Sequence, residues 1–332
     1  MSSIVPPAGA RADGAPPDAA PARAVGLTIA GFPAPDLAAL LTVVLIWASL
    51  HPIAKQTLSE ITVSQLPFSR VGLAAVFLMV VCALTGRFGR FLALFHPRTV
   101  WKVAVLGVSG FSLSSGLSMT ALSYLPAGIN SVLANASPLM VALGVMVLLR
   151  ERLHWRTMLG LVIGFLGVAI IALRGGVDAS GLSLVGVLLS LFSSGTWALY
   201  TVLARRLSAG HDVLAMCAAT SLVGAIPLGV VVGVEGETGR LLAASAWTHL
   251  LLLWCGVIAT GATFTAWVVL LRRISATRVA SFQYLIPLGA LVLAYPIGGE
   301  VPSWVALIGA GMIVGGVAVA NSAAMTPRPR RG

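Results

Sequence analysis

SPLMVALGVMVLLRERLHWRTMLG, residues 137–160, is answered by IPLGALVLAYPIGGEVPSWVALIG at 286–309. Pro138, Leu139, Glu151, Trp155 and Gly160 recur as Pro287, Leu288, Glu300, Trp304 and Gly309, always 149 residues on. Working outward, Leu122, Ala127 and Gly167 recur as Leu271, Ala276 and Gly316, and Trp47 is matched by Trp197 at an offset of 150. Leu, Ala and Gly are common in this chain and carry little weight. Glu, Trp and Pro are scarce, yet they hold one spacing across apolar segments. A fixed period of this size marks two copies of one structural unit.

The surroundings of the repeat are those of a membrane protein. Hydrophobic residues make up 58% of the 332 and charged residues 9%, and mean hydropathy is +0.98. A soluble domain is about one quarter charged. Runs of about 20 apolar residues point to spanning helices, not to the roughly ten-residue alternation of a transmembrane barrel. Cys82, Cys217 and Cys255 lie in apolar segments without metal-ligand spacing, so they read as small buried residues. No cofactor or metal is expected. The net charge of +11 does not point to nucleic acid, because the basic residues fall between apolar runs, as membrane orientation requires.

Ten spans are predicted, at 37–55, 65–85, 103–122, 128–149, 156–173, 182–203, 212–233, 248–271, 279–297 and 303–323. Residues 1–36, rich in Pro, Ala and Gly, and 324–332 are expected to be disordered cytoplasmic tails. Of the 21 Lys and Arg, seventeen fall on the side of the termini and three on the other, with Arg70 inside a span. That asymmetry places both termini in the cytoplasm. The repeats, 37–174 and 182–323, hold five spans each. Five is odd, so the second copy starts from the opposite face and must be inverted. The fold expected is an all-α integral membrane protein of ten helices in two inverted five-helix repeats, an arrangement that carries solute sites between its copies.

The motifs resemble those of a known family. Trp47-Ala48-Ser49 through Lys55, Arg70 early in the second span, Ser137-Pro138-Leu139 through Arg150-Glu151-Arg152-Leu153, and Ala276-Thr277-Arg278 through Pro287 and Gly299-Glu300 together are similar to a ten-helix member of the drug/metabolite transporter superfamily, of the EamA-like type. His51-Pro52 and Ile286 depart from its usual residues. The resemblance implies export or exchange of small organic solutes such as amino acids, metabolites or toxic compounds. It fits a multi-pass protein of a bacterial inner membrane.

Several residues are candidates for the solute site. A proline inside a helix frees the carbonyl four residues back, and in lipid that carbonyl needs another partner or a wet cavity. Pro52, Pro138 and Pro287 are therefore expected helix breaks, the last two freeing the carbonyls of Ala134 and Gln283. Asn135 and Tyr284, each three residues before its proline, are expected to line a central cavity. Trp47 and Trp197 sit at mid-span, away from the interfaces where Trp concentrates, and are expected as aromatic walls. His51 and Arg70, with Lys55 one turn beyond, form a basic rim. An ionisable group inside the membrane is a functional candidate by default, and His51 is placed to relay protons.

All ten acidic residues fall in tails, loops or span ends, so coupling through a buried carboxylate is not expected. The small-xxx-small motifs Gly160-xxx-Gly164 and Gly311-xxx-Gly315 suit close helix contact, within the chain or in a homodimer. The rival readings are a membrane enzyme acting on lipids, for which the spans hold no nucleophile, base or metal set, and a channel or scramblase, for which no selectivity ring is visible.

Overall fold

The computed structural model describes residues 28–29, 32–173, 183–298 and 303–322. Glu300 and Arg174 fall outside them. Short strands β1 (Thr28–Ile29) and β2 (Phe32–Pro33) pair antiparallel, inside the segment expected to be a tail. Phe32 is buried against the Phe282 ring, which ties this segment to the bundle.

The first repeat contains α1 (Ala34–Thr57), α2 (Gln65–Leu84), the short α3 (Phe88–Ala93), α4 (Val100–Gly107) continuing through a π-helical stretch, Val108–Leu113, into α5 (Ser114–Ala121), then α6 (Ala127–Ala134), α7 (Ser137–Leu148) and α8 (Trp155–Leu173). The second contains α9 (Leu184–Leu207), α10 (Val213–Glu235), the short α11 (Thr238–Ala243), α12 (Ala246–Leu253), a π-helical stretch over Trp254–Ala262, α13 (Thr263–Arg273), α14 (Ala276–Ser281), a 3₁₀ turn at Phe282–Tyr284, α15 (Leu285–Gly298) and α16 (Trp304–Ser322). Nine helices among the described residues are long and apolar enough to cross a membrane. The span predicted at 279–297 is the stack of α14, the 3₁₀ turn and α15, each piece too short to qualify alone.

The duplication extends to details that the repeat motifs do not encode. The π stretches of the third and eighth spans occupy equivalent positions. Gly86 and Gly236, which follow α2 and α10, both adopt positive φ, +67° and +72°, a conformation glycine reaches without a Cβ penalty. α3 and α11 then follow as matching short helices that hydropathy does not reveal.

Helices α8 and α16 show how the copies are related. A Cβ on Gly160 would lie 2.5 Å from the Gly316 carbonyl, and one on Gly167 would lie 2.6 Å from the Gly309 carbonyl. Gly160 and Gly309 are equivalent, as are Gly167 and Gly316, so each contact is the other with the repeats exchanged. The two helices also run antiparallel, which requires a two-fold axis in the membrane plane. The third span on α10 and the eighth on α2 obey the same axis: Gly107 faces Thr220, and Gly256 faces Arg70. The Gly160-xxx-Gly164 motif thus packs within the chain. Gly311 and Gly315 have nothing within contact range of a Cβ and lie on the outer surface. Trp101, Trp155, Trp247 and Trp304 are exposed near helix starts, where interfacial Trp belongs.

Candidate functional site

A cavity of about 290 Å³ opens between the repeats, close to the lower end of small-ligand pockets, roughly 300–1,000 Å³. Trp47, Leu50 and Ala54 of α1 line one side, with Leu66, Pro67 and Arg70 of α2 beside them. Ser115, Ser118 and Met119 of α5, Asn135 and Ser137 at the α6–α7 break, Trp197 of α9, Cys255 and Ala259 of the π stretch, Phe264 of α13, and Gln283 and Ile286 complete the wall.

Aromatic packing makes the floor. Trp47 and Trp197 meet edge to face with centroids 5.7 Å apart, and Phe264 lies 5.8 Å from Trp47 and 5.3 Å from Trp197. Tyr200 stacks beneath Trp197 at 5.3 Å, and the fully buried Trp267 lies 4.9 Å from Trp47. The Trp47 indole N–H donates to Thr263 Oγ1 at 2.9 Å and to the Ala259 carbonyl at 3.2 Å. These bonds fix the ring across the repeat interface. Ala259 lies in the π stretch, a distortion frequent at functional sites.

The helix break at Pro138 takes a definite form. α6 ends at Ala134, Asn135 and Ala136 form a turn, and α7 restarts at Ser137. The Ala134 carbonyl freed by Pro138 accepts from Ser194 Oγ at 3.1 Å, and the same hydroxyl donates to the Leu133 carbonyl at 2.7 Å. Asn135 lines the cavity and donates from Nδ2 to the Ser131 carbonyl at 2.8 Å. In the second copy the interruption is a 3₁₀ turn ending just before Leu285. Ser137 Oγ donates to Gln283 Oε1 at 2.9 Å and links the two interruptions across the interface.

Tyr284 does not reach the cavity wall. It is fully buried against Gly164 of α8, and its neighbour Gln283 lines the cavity instead. Successive helical residues lie on different faces, and the 3₁₀ turn sets a phase unlike that of the turn at Asn135. Pro52 is not a break either: α1 continues through it, as spanning helices do where neighbours re-satisfy freed groups. His51 lies in α1, with its side chain, like that of Lys55, outside the described residues. Four of the six predicted lining residues, Trp47, Arg70, Asn135 and Trp197, therefore share one cavity. The sequence reading did not select the side chains of Phe264 or Gln283.

Hydroxyls serve mainly as backbone partners. Ser114 and Thr263 donate to their own helices, and Ser193 donates to the Ser114 carbonyl across the interface at 2.6 Å. Arg70 Nη2 donates to Ser115 Oγ at 3.0 Å, whereas its buried Nε has no partner. Among the described lining residues none is acidic, and no metal-sized cluster of His, Cys, Asp and Glu occurs among the described residues.

The two ends of the bundle are tied by polar contacts between loops of the same side. At the end holding the α1 N-terminus, Arg273 pairs with Asp36 at 2.9 Å and Arg90 with Asp212 at 3.1 Å. Arg272 donates to the carbonyls of Ser208 and His211. At the opposite end, Glu60 accepts from the Ser245 amide and hydroxyl at 2.6 and 2.9 Å. These bonds hold the Glu60 carboxyl below its usual range.

A helical membrane protein whose inverted copies enclose a solute-sized cavity has the build of a transporter. The chain belongs to the EamA-like transporter family, whose pattern matches residues 35–173 and again 184–322. It is similar to a probable terminal-alkyne amino-acid exporter of Streptantibioticus cattleyicolor, 29% identical over 285 residues covering 85% of this chain and 92% of that one. A probable amino-acid metabolite efflux pump of Salmonella typhimurium is 24% identical over 246 residues, 69% and 82% of the two chains. A solved crystal structure shares the fold with a TM-score of 0.72 at 21% identity, covering 88% of this chain and 98% of its own.

Proposed function

We propose that this protein is a secondary transporter that exports a small organic solute across a bacterial inner membrane by alternating access, with both termini cytoplasmic. The observation that carries the reading is a one-sided cavity between two-fold-related repeats. Its walls come from the C-terminal half of α1, the N-terminal part of α2 and α5, all in the same half of the bundle, and its floor is Trp47, Trp197 and Phe264. A two-fold axis in the membrane plane makes the opposite half equally able to open, so exchange of the two arrangements would carry a solute past the aromatic floor. In the expected topology the cavity lies on the outer side and the Asp36–Arg273 pair on the closed, cytoplasmic side. The two relatives named for amino-acid and amino-acid-metabolite export support the direction and the size of the solute. The lack of acidic residues among the described lining favours a uniporter, an exchanger or a carrier that uses His51 over one coupled through a carboxylate.

Counterflow in proteoliposomes tests this. Preloaded unlabelled solute should accelerate uptake of the same labelled solute, with saturation, and replacing Trp47 or Asn135 by Ala should slow it at least about tenfold, the effect of roughly 1.4 kcal/mol. Flux that never saturates and shows no counterflow would replace the carrier with a channel or scramblase.

A further inference from the structure

The cavity holds a cation with no counter-ion among the described residues. Arg70 lies inside the second span and is the basic residue among the described lining of the cavity. Its guanidinium cannot shed its charge within a protein. One nitrogen donates to Ser115 Oγ, a neutral partner, and the buried Nε donates to nothing. No described lining residue is a carboxylate, and the described Asp36, Glu60, Glu151, Asp212, Glu235 and Glu237 all lie at helix ends or in loops. Arg70 is partly buried, with its Nε fully so, and a charge drawn away from water is costly unless it is paired. Gln283 is 4% exposed and lines the same cavity, with its Nε2 also unpartnered. The hydroxyl hydrogens of Ser114, Ser137, Ser193 and Ser194 are given to carbonyl or amide oxygens. Thus a full positive charge and an amide N–H remain on offer, in a pocket floored by Trp47, Trp197 and Phe264.

We infer that the transported solute is an organic monoanion, an apolar or aromatic body bearing one carboxylate, and that Arg70 is the counter-ion the solute brings into balance. This rests on the transporter reading above. The planar guanidinium matches a carboxylate in a forked pair, with Ser115 orienting it and Gln283 offering a further donor. The aromatic floor takes the body. An aromatic wall alone would also favour a cation, but Arg70 repels one in this low-dielectric site. A solute ammonium finds no anionic partner among the described residues, so a zwitterion gains nothing from its amino group.

The experiment uses four probes of one body: 3-phenylpropionate, phenylalanine, 3-phenylpropan-1-ol and 3-phenylpropylamine. Binding to the purified full chain is read by tryptophan emission, and counterflow is read in proteoliposomes. The propionate should bind at least about tenfold tighter than the alcohol, as expected for a hydrogen bond to a charged group, and the amine weakest. Arg70→Gln should abolish the gap between propionate and alcohol, chiefly by weakening the propionate. Arg70→Lys should keep part of it, and Ser115→Ala should narrow it, which covers the case in which the glutamine variant does not fold. An alcohol or amine that binds wild type as tightly as the propionate overturns the inference, as does a gap that survives Arg70→Gln, or, should that variant not fold, one unmoved by both Arg70→Lys and Ser115→Ala. Phenylalanine binding tighter than the propionate overturns it too, by showing a partner for the ammonium. Counterflow of the alcohol or amine alone leaves the transporter reading standing and removes the monoanion. Counterflow of none of the four removes the transporter reading, and the inference with it.

Discussion

The Trp47 indole N–H donates to Thr263 Oγ1 at 2.9 Å, joining the first span of one repeat to the eighth span of the chain at the cavity floor. Trp47→Phe keeps much of the ring packing and removes the bond. It is expected to cost about 1 kcal/mol, the net worth of one hydrogen bond. Trp47→Ala also leaves a void against Trp197, Phe264 and Trp267, and should cost about 3–5 kcal/mol. Thermal unfolding in detergent, read by a thiol-reactive dye, should rank wild type above Phe and Phe above Ala. Equal melting of the Phe and Ala variants would show that the ring does not support the floor.

The α8–α16 crossing makes a contrast between glycines that look alike in sequence. A Cβ on Gly160 would meet the Ala320 amide nitrogen at 2.2 Å, whereas one on Gly315 meets nothing. Gly160→Leu must push the helices apart and is expected to cost at least about 3 kcal/mol, with loss of monodisperse protein in size-exclusion chromatography. Gly315→Leu should melt as wild type does. The opposite ranking would place α16 in the wrong rotation.

Asp36 and Arg273 close one end of the bundle across the repeats. The pair is partly exposed, so Asp36→Asn should lower stability by only about 0.5–1 kcal/mol. Under the alternating-access proposal its larger effect should be on conformation, because the pair would exist only while that end is closed. With Ala54→Cys as a reporter at the cavity wall, a membrane-impermeant maleimide added from the outer side should label the Asp36→Asn background more slowly. Unchanged labelling would mean that the pair does not bias the two arrangements.

Asp212 caps α10 by accepting from the Ala215 amide at 3.1 Å and also pairs with Arg90. Burial raises its carboxyl, but the Ala215 amide, Arg87 and Arg90 outweigh that and hold it below its usual range. A carboxyl lowered on folding stabilises the native state above its unfolded value, and the contribution is lost as pH falls through the folded value. Asn also caps a helix, so wild type should outmelt Asp212→Asn at neutral pH by about 0.5–1 kcal/mol, the worth of the partly exposed pair with Arg90, and the two should converge in acid below the ordinary carboxylate range. A difference that does not change with pH would assign the effect to packing.

Ser194 supplies the hydrogen bond that the Ala134 carbonyl lost to Pro138. Ser194→Ala leaves the carbonyls of Leu133 and Ala134 without that donor and should cost about 1–3 kcal/mol. Adding Pro138→Ala should recover part of the loss by restoring an amide donor to α7. A double mutant no more stable than Ser194→Ala would deny that link.

The proline spacing located both interruptions, at Asn135 and before Leu285, because a missing amide is a local covalent fact. It did not decide which neighbour would face the cavity. Aligning Asn135 with Tyr284 selected the wrong side chain, since a 3₁₀ turn replaces the open turn of the first copy and shifts the helical phase onto Gln283. Pro52 carries the same chemistry as Pro138, yet leaves α1 intact. The difference lies in surrounding helices that a single sequence does not list. Ser115 and Phe264 occupy equivalent positions of the two copies, 149 residues apart, but differ in type, so no repeated motif marks them.

Apolar run length, the odd number of spans per copy and the side-to-side bias of Lys and Arg determined by themselves that this is an inverted-repeat helical membrane protein. Each is local or additive along the chain, so each can be counted. Only the tertiary structure decided that the cavity lies on one side, that Trp47 and Trp197 meet at its floor, and that Arg70 has a serine and, among the described residues, no carboxylate for company. Those depend on the rotation of each helix about its axis and on contacts between residues 216 and more positions apart. Sequence distance carries no information about such contacts until the helices have packed.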